Sequence, residues 1–290
     1  MTALRALLEG LIDYAGLFPP ASLDMTTAVR NYAAYRVSGE AWMLGRFVVP
    51  VQRLEEFSAA FAETCCDEQT SPWLLSVLST GDASEDTRLF SSFSEGAAFL
   101  DAIELKASNA TQVEEQPESI SQGMVAYVEM KAGQTNEILP VLKKANARAK
   151  IRTGGVTPDA IPNAQEIAEF IVACANARIP FKATAGLHHP LRSMHKLTYE
   201  ENSATATMHG FINVFVAAAI AYQDASVEEV VGVLQEQAPS AFQWEKSELK
   251  WRDRRLSAEQ IKAIRKNFAI GFGSCSFDEP VRDLRALGWL

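Results

Sequence analysis

The chain has 290 residues, 48% hydrophobic and 22% charged, with a formal net charge of -9. That is enough apolar material for a large core, and the acidic balance argues against nucleic acid or an anionic membrane as partner, since both are met by basic surfaces. The four cysteines, Cys65, Cys66, Cys174 and Cys275, form no CxxC pair. They suggest neither a zinc knot nor a disulfide framework, and a reducing cytoplasm is expected.

The N-terminal MTALRALLEGLIDYAG carries acidic residues early and does not read as a secretory signal. The longest apolar stretch, FINVFVAAAIAY, is interrupted by Asn213 and falls short of the roughly 20 residues that span a bilayer. Along the chain, short apolar runs alternate with segments of helical spacing. The runs are 11–18, 42–50, 73–79, 99–107, 124–132, 149–155, 181–189 and 268–277. Between them, Leu54, Phe57 and Phe61, or Ile167, Phe170, Ile171 and Cys174, recur three and four apart as one-sided helices require. Asn163 before Glu166, Ser226 before Glu229 and Ser257 before Gln260 place capping pairs at three helix starts.

Eight strand-helix units imply parallel pairing and a single-domain (β/α)8 barrel, with a doubly wound open sheet as the structural alternative. The segment 191–267 is long for one connection. It is predicted to hold at least two helices and a hairpin in AFQWEKSELKWRDRRLS.

In such barrels the C-terminal strand ends build the site. Polar residues stand there: Arg46 in the second run, Glu104 and Lys106 in the fourth, Glu129 and Lys131 in the fifth, Arg152 and Thr153 in the sixth, Lys182 through His189 in the seventh, and Ser274 through Ser276 in the eighth. Strand alternation puts Tyr127, Glu129 and Lys131 on one face, and likewise Lys182, Thr184, Gly186 and His188. Many buried charges are costly unless paired or used. Lys182, among cations such as Lys150 and Arg152, is expected to have its ammonium disfavoured and its amine available to a carbonyl; pairing with Glu129 or Glu104, or anion binding, are the plainer uses.

Gly154 and Gly155, and the run Gly271, Phe272, Gly273 and Ser274, suit a phosphate or carboxylate, or simply make turns. Only one of His188 and His189 should face the site. Cys275 reads as a packing residue, and AGLFPPA sets Phe18, Pro19 and Pro20 over the mouth as a wall or a plain loop.

FKATAG followed by GFGSCS resembles the lysine strand and the following small-residue strand of class I aldolase barrels of the deoxyribose-phosphate aldolase type, over about twenty residues. That resemblance implies a lyase in which Lys182 forms a Schiff base. YAGLFPPA, FKATAGLHHP and FGSCSFDEP together resemble a family of bacterial proteins to which no activity is attached.

The expectation is thus an enzyme, a lyase or isomerase, acting on a small anionic carbonyl compound, phosphorylated or not. Lys182 would be the Schiff-base or electrophilic cation, Glu129 the proton shuttle, and His188 or His209 the general acid or base. Substrate contacts are expected from Arg46, Glu104, Lys106, Lys131, Arg152, Thr153, Gly154, Gly155, Thr184, Gly186, His189, Gly273, Ser274 and Ser276. No cofactor is expected, and the sequence leaves open a homo-oligomer. Two alternatives stand beside this reading. One is a metal-dependent hydrolase or lyase with His188 and His209 joined by Glu104 or Glu129 around a divalent metal; the other is a non-catalytic small-anion binder.

Overall fold

A computed structural model of the chain describes residues 1–64, 72–93, 96, 98–115 and 123–290; the Cys65 and Cys66 pair lies outside them. Seven parallel strands follow the chain around a barrel: β1 (Ile12–Tyr14), β2 (Leu44–Pro50), β3 (Trp73–Leu78), β4 (Ala98–Lys106), β5 (Val125–Glu129), β6 (Arg148–Arg152) and β7 (Phe181–Thr184). Next come an antiparallel hairpin of β8 (Ser193–Lys196) and β9 (Thr205–Met208), and a three-stranded sheet of β10 (Phe242–Trp244), β11 (Glu248–Trp251) and β12 (Arg254–Ser257). The last strand, β13 (Ala269–Ser274), pairs in parallel with both β7 and β1 and closes the barrel. Each of the eight sequence runs thus overlaps one of the eight barrel strands, β4 and β6 starting one residue before theirs, and the open-sheet alternative falls because β1 and β13 are hydrogen-bonded neighbours.

The helices are α1 (Ala3–Leu8), α2 (Met25–Arg36), α3 (Leu54–Thr64), α4 (Ala83–Ser92), α5 (Ala110–Glu114), α6 (Thr135–Lys144), α7 (Ala164–Ala177), α8 (Phe211–Ala221), α9 (Val227–Leu234), α10 (Ala258–Asn267) and α11 (Asp278–Ala286). The three capping pairs form as reciprocal boxes at the starts of α7, α9 and α10. The connection from β7 to β13 holds one more hairpin than expected: β8 and β9 precede α8, and the predicted hairpin is a three-stranded sheet. Every residue of α8 is buried, which explains its unbroken apolar run without a membrane, and no helix among the described residues is long and apolar enough to cross one.

Strand alternation divides the side chains between two environments. Outward residues meet the helices and are apolar. Phe47 of β2 and Trp73 of β3 pack with Tyr32 of α2 and Phe57 of α3, ring centroids 4.5–6.1 Å apart. Inward, the same strands place Arg46 and Ser76 beside the charged axis and Val48 and Leu78 at the mouth, so the axis is charged while the layer around it is hydrocarbon. Phe47→Ala should therefore open a cavity in the outer layer and destabilise the fold by about 3–5 kcal/mol, read as a lower urea midpoint at unchanged slope.

Candidate active site

The barrel interior carries a row of alternating charges. The Lys182 ammonium donates to Asp13 Oδ2 at 2.6 Å and to Glu104 Oε1 at 2.7 Å. The other oxygen of Glu104 takes Lys150 at 2.6 Å, and Lys150 reaches on to Glu129 Oε2 at 2.7 Å. Glu129 in turn faces the Arg152 guanidinium at 3.8 Å. At the other end, the Arg46 backbone N–H donates to Asp13 Oδ1 at 2.8 Å while its side chain is bound to Asp101.

Each strand contributes according to its register. Lys150 and Lys182 are directly paired positions on β6 and β7, and Glu129 is the partner of Lys150 on β5. Ser76 of β3 adds a 2.6 Å hydrogen bond to Glu104 Oε1. At Gly45 a Cβ would lie 2.4 Å from Asp13 Oδ1, so only glycine lets that carboxylate lie against β2.

These pairings reverse one expectation. Burial alone would depress the Lys182 ammonium, but Asp13 and Glu104 outweigh it and push its pKa above the usual lysine range. Burial likewise disfavours the Glu104 carboxylate, and Lys150 and Lys182 overcome it, holding Glu104 well below the usual carboxylate range. Lys182 is a fixed cation between two anions, not an amine crowded by like charges.

Above this row lies a cavity of about 340 Å³ at the C-terminal strand ends. Its floor and polar side are Glu104, Lys106, Glu129, Lys150, Arg152 and Thr184, with Gly155, Gly186, Gly273 and His188 at its edge. Phe18, Pro19 and Pro20 form an apolar wall, as AGLFPPA suggested, and Leu197 and Met208 of the β8–β9 hairpin face them. Both buried lysines stand near the axis, yet Lys150 lines this cavity and Lys182 does not.

The remaining expected residues divide by position. Thr153 is fully buried and donates its hydroxyl to the Ala185 carbonyl at 2.7 Å, which fastens the end of β6 to the turn after β7. Gly154 and Gly186 pack on each other; a Cβ on either would fall 2.8 Å from the other's Cα, and Gly186 has φ +76°. The Ser274 carbonyl binds Ala15 N–H, and Ser276 Oγ accepts from Glu279 N–H at the start of α11. Arg46 sits beneath the row with Asp13 and Asp101. Thr153, Gly154, Ser274, Ser276, Arg46 and Lys182 support the cavity from outside it, and Lys131 lines a neighbouring groove.

Only His188 of the pair lines the mouth cavity, as expected, but strand alternation is not the cause, because β7 ends at Thr184 and Ala185 and Gly186 both turn left-handed. His188 and His189 then both lean on α11: His188 Nδ1 lies 2.9 Å from Glu279 Oε2 and His189 Nδ1 lies 2.5 Å from Asp283 Oδ2. His188 lines the cavity; His189 lines a smaller one beside it, with His195 of β8 stacked on its ring at 3.4 Å.

His209 is nearly fully buried, with Nε2 on the Pro162 carbonyl at 2.7 Å and Nδ1 facing Arg192 at 3.2 Å. Burial pushes its pKa down to about 4. His209 is thus a neutral packing group, and no group of three His, Cys, Asp or Glu among the described residues is arranged to hold a metal. Cys275 lines the cavity, but burial raises its thiol to about 11, so it is a thiol and not a thiolate nucleophile.

Sequence reasoning missed Asp13 altogether and treated Lys150 only as a neighbour. The signals were present: a lone aspartate inside the apolar LIDY segment, and a lysine in AKIR at strand spacing from Arg152.

Two outcomes follow. Lys182→Met leaves Asp13 buried without its cation and should cost about 3–5 kcal/mol in urea unfolding, with part of the loss recovered by adding Asp13→Asn. For His209, the folded pKa is below the unfolded one, so the unfolded chain binds a proton first as pH falls. Wild-type stability relative to His209→Gln should be unchanged above pH 6.5 and should drop by about 1.4 kcal/mol per pH unit between pH 6.5 and 4, measured by denaturant unfolding across that window.

Compared with models of protein families and with curated proteins, the chain matches none, and its fold and charge arrangement stand as the guide to its activity.

Proposed function

We propose that the protein is an enzyme of small-molecule carbonyl chemistry, a lyase or isomerase, whose reacting amine is Lys150. The observation that carries this reading is that Lys150, of the two buried lysines, lines the mouth cavity; like Lys182 it lies between two carboxylates, but both of its partners line that cavity, whereas Asp13 beside Lys182 does not. Glu104 is held as an anion by Lys182 and Ser76 and is committed to orientation. Glu129 stands at the cavity edge and is the group free to exchange a proton with Lys150.

The steps balance with these residues and one water, which leaves as the iminium forms and returns to hydrolyse it and free Lys150. Lys150 passes a proton to Glu129, the neutral amine adds to the substrate carbonyl carbon, and one of its N–H protons moves to the carbonyl oxygen to give a carbinolamine. The proton on Glu129 goes to the carbinolamine oxygen, which leaves as water, and an iminium remains. That cation accepts the electron pair of a neighbouring C–H or C–C bond as it breaks, and Glu129 or His188 takes or returns the proton. Arg152 and Lys106 at the rim favour a substrate with an acid group. Lys182, below the cavity floor, keeps Glu104 charged and so keeps Lys150 in place; the role that the resemblance assigned to Lys182 passes to its neighbour in register.

Incubation with acetaldehyde, pyruvate or glyceraldehyde 3-phosphate, reduction with borohydride and intact-mass analysis should give an adduct that peptide mapping places on Lys150. It should vanish in Lys150→Met. An adduct on Lys182, or none with any of the three, would sink the assignment. With a turned-over substrate, Glu129→Gln should lower kcat by roughly 10²–10⁴ while leaving the fold intact. Ligand-dependent thermal stabilisation without turnover would instead mark a binder.

A further inference from the structure

His188 and His189 each meet a carboxylate of α11, yet only one of the two pairs opens on the mouth cavity. His189 is covered by the His195 ring, stacked 3.4 Å away, and lines the smaller cavity of about 300 Å³ and not the mouth. His188 lines both, together with Pro20, Leu197 and Met208. Its Nδ1 lies 2.9 Å from Glu279 Oε2, and its Nε2 has no hydrogen-bond partner among the described residues. That nitrogen is the one left for a molecule in the mouth.

Glu279 is itself held by three segments. Besides His188, the Tyr199 hydroxyl, in the loop between β8 and β9, donates to the same oxygen at 3.2 Å, and the Glu279 backbone N–H donates to Ser276 Oγ at 3.1 Å. Burial works against its charge, but the hydrogen bonds from His188 and Tyr199 outweigh it and hold the carboxyl below the usual carboxylate range. A carboxylate can only accept, so Nδ1 of the neutral imidazole carries the proton and Nε2 is the bare, basic nitrogen. Once His188 has taken a proton, the same carboxylate lies against the imidazolium and stabilises it. Glu129, the other proton carrier at the cavity, is already bound to Lys150 at 2.7 Å.

We propose that Glu279 is a positioning residue for His188, and that His188, not Glu129, moves the proton at the substrate carbon. This rests on the reading of Lys150 as the reacting amine, which supplies the iminium. Glu129 then serves the nitrogen and the leaving oxygen, and His188 serves the carbon. His188 Nε2 takes the proton from the C–H beside the iminium; the C–H electron pair becomes the enamine double bond, and the C=N pair moves onto the Lys150 nitrogen. Return of a proton from His188 to that carbon restores the iminium, which water hydrolyses. Lys150 and His188 line one cavity of about 340 Å³, so a substrate of a few carbons that fills it meets both.

Pyruvate and acetaldehyde in D2O are the probes, because each has a methyl group beside its carbonyl whose exchange for deuterium, followed by proton NMR, reads proton transfer at carbon. Borohydride trapping on the same samples reads the imine at Lys150 separately. The wild-type protein should show both. His188→Gln should slow the exchange by roughly 10²–10⁴ while the adduct on Lys150 still forms. Glu279→Gln, whose amide can donate to Nδ1 and so favours the wrong tautomer, should slow it by roughly 10², and Glu279→Asp should restore part of the rate. The chain has four histidines, so the His188 signal in nitrogen-15 NMR is identified by its loss in His188→Gln. In the neutral ring it should show the Nδ1–H tautomer in wild type and not in Glu279→Gln. The pair is overturned if wild-type His188 carries its proton on Nε2 or if exchange is unchanged in His188→Gln. It is equally overturned if Glu279→Gln loses exchange, adduct and unfolding midpoint together, as a merely structural contact would. An adduct without His188-dependent exchange refutes the pair and leaves Lys150 standing. His188-dependent exchange without an adduct refutes the imine and leaves the pair, and the absence of both signals refutes both.

Discussion

The Glu104 carboxylate is the point on which the interior depends. Buried as it is, an anion there is costly without compensation, and it receives three donors: Lys182, Lys150 and Ser76. Those donors come from β7, β6 and β3, so one side chain on β4 ties together strands that are not all neighbours. The remaining charges extend the same alternation outwards, to Asp13 on one side and Glu129 on the other. In a dry barrel the sequence of signs matters more than the number of charges, because each cation must lie within hydrogen-bond reach of an anion.

That row separates a fixed floor from an adjustable mouth. Below, Lys182 is buried and held between Asp13, Glu104 and the Tyr127 ring, 5.4 Å from its nitrogen. Above, Lys150 reaches the cavity, and the walls are contributed by loops: Phe18 to Pro20 after β1, and the β8–β9 hairpin after β7. The hairpin is linked to α11 through the stack of His195 on His189 and the hydrogen bond of His189 to Asp283. A charged site thus rests on strands and is covered by segments anchored to helices, which is the division of labour that lets a barrel keep its stability and its chemistry at opposite ends.

Much of the architecture was legible because hydrophobic period is a local property. The eight apolar runs and the three capping boxes are each decided within a few residues, and each appears where it was read. The β8–β9 hairpin was not legible, since SMHK and TATM carry neither a sustained alternation nor a turn signal of the kind that marks hairpins. Of the two histidines only His188 lines the mouth cavity, as expected, but not by alternation, because the strand ends at Thr184 and Ala185 and Gly186 turn left-handed.

From the sequence alone came the alternation of strand and helix, the number of strands and the clustering of charged residues at strand ends, all consequences of where a residue sits relative to its near neighbours. The tertiary structure decided which charges meet. Asp13 and Lys182 are 169 residues apart in the chain and 2.6 Å apart in space. Whether a buried lysine is pushed up or down in pKa depends on that distance and on nothing its neighbours in sequence reveal, because Coulomb interaction follows spatial separation and the stagger of the barrel sets the height of every side chain. The same stagger brought Lys150 to the cavity and left Lys182 beneath it.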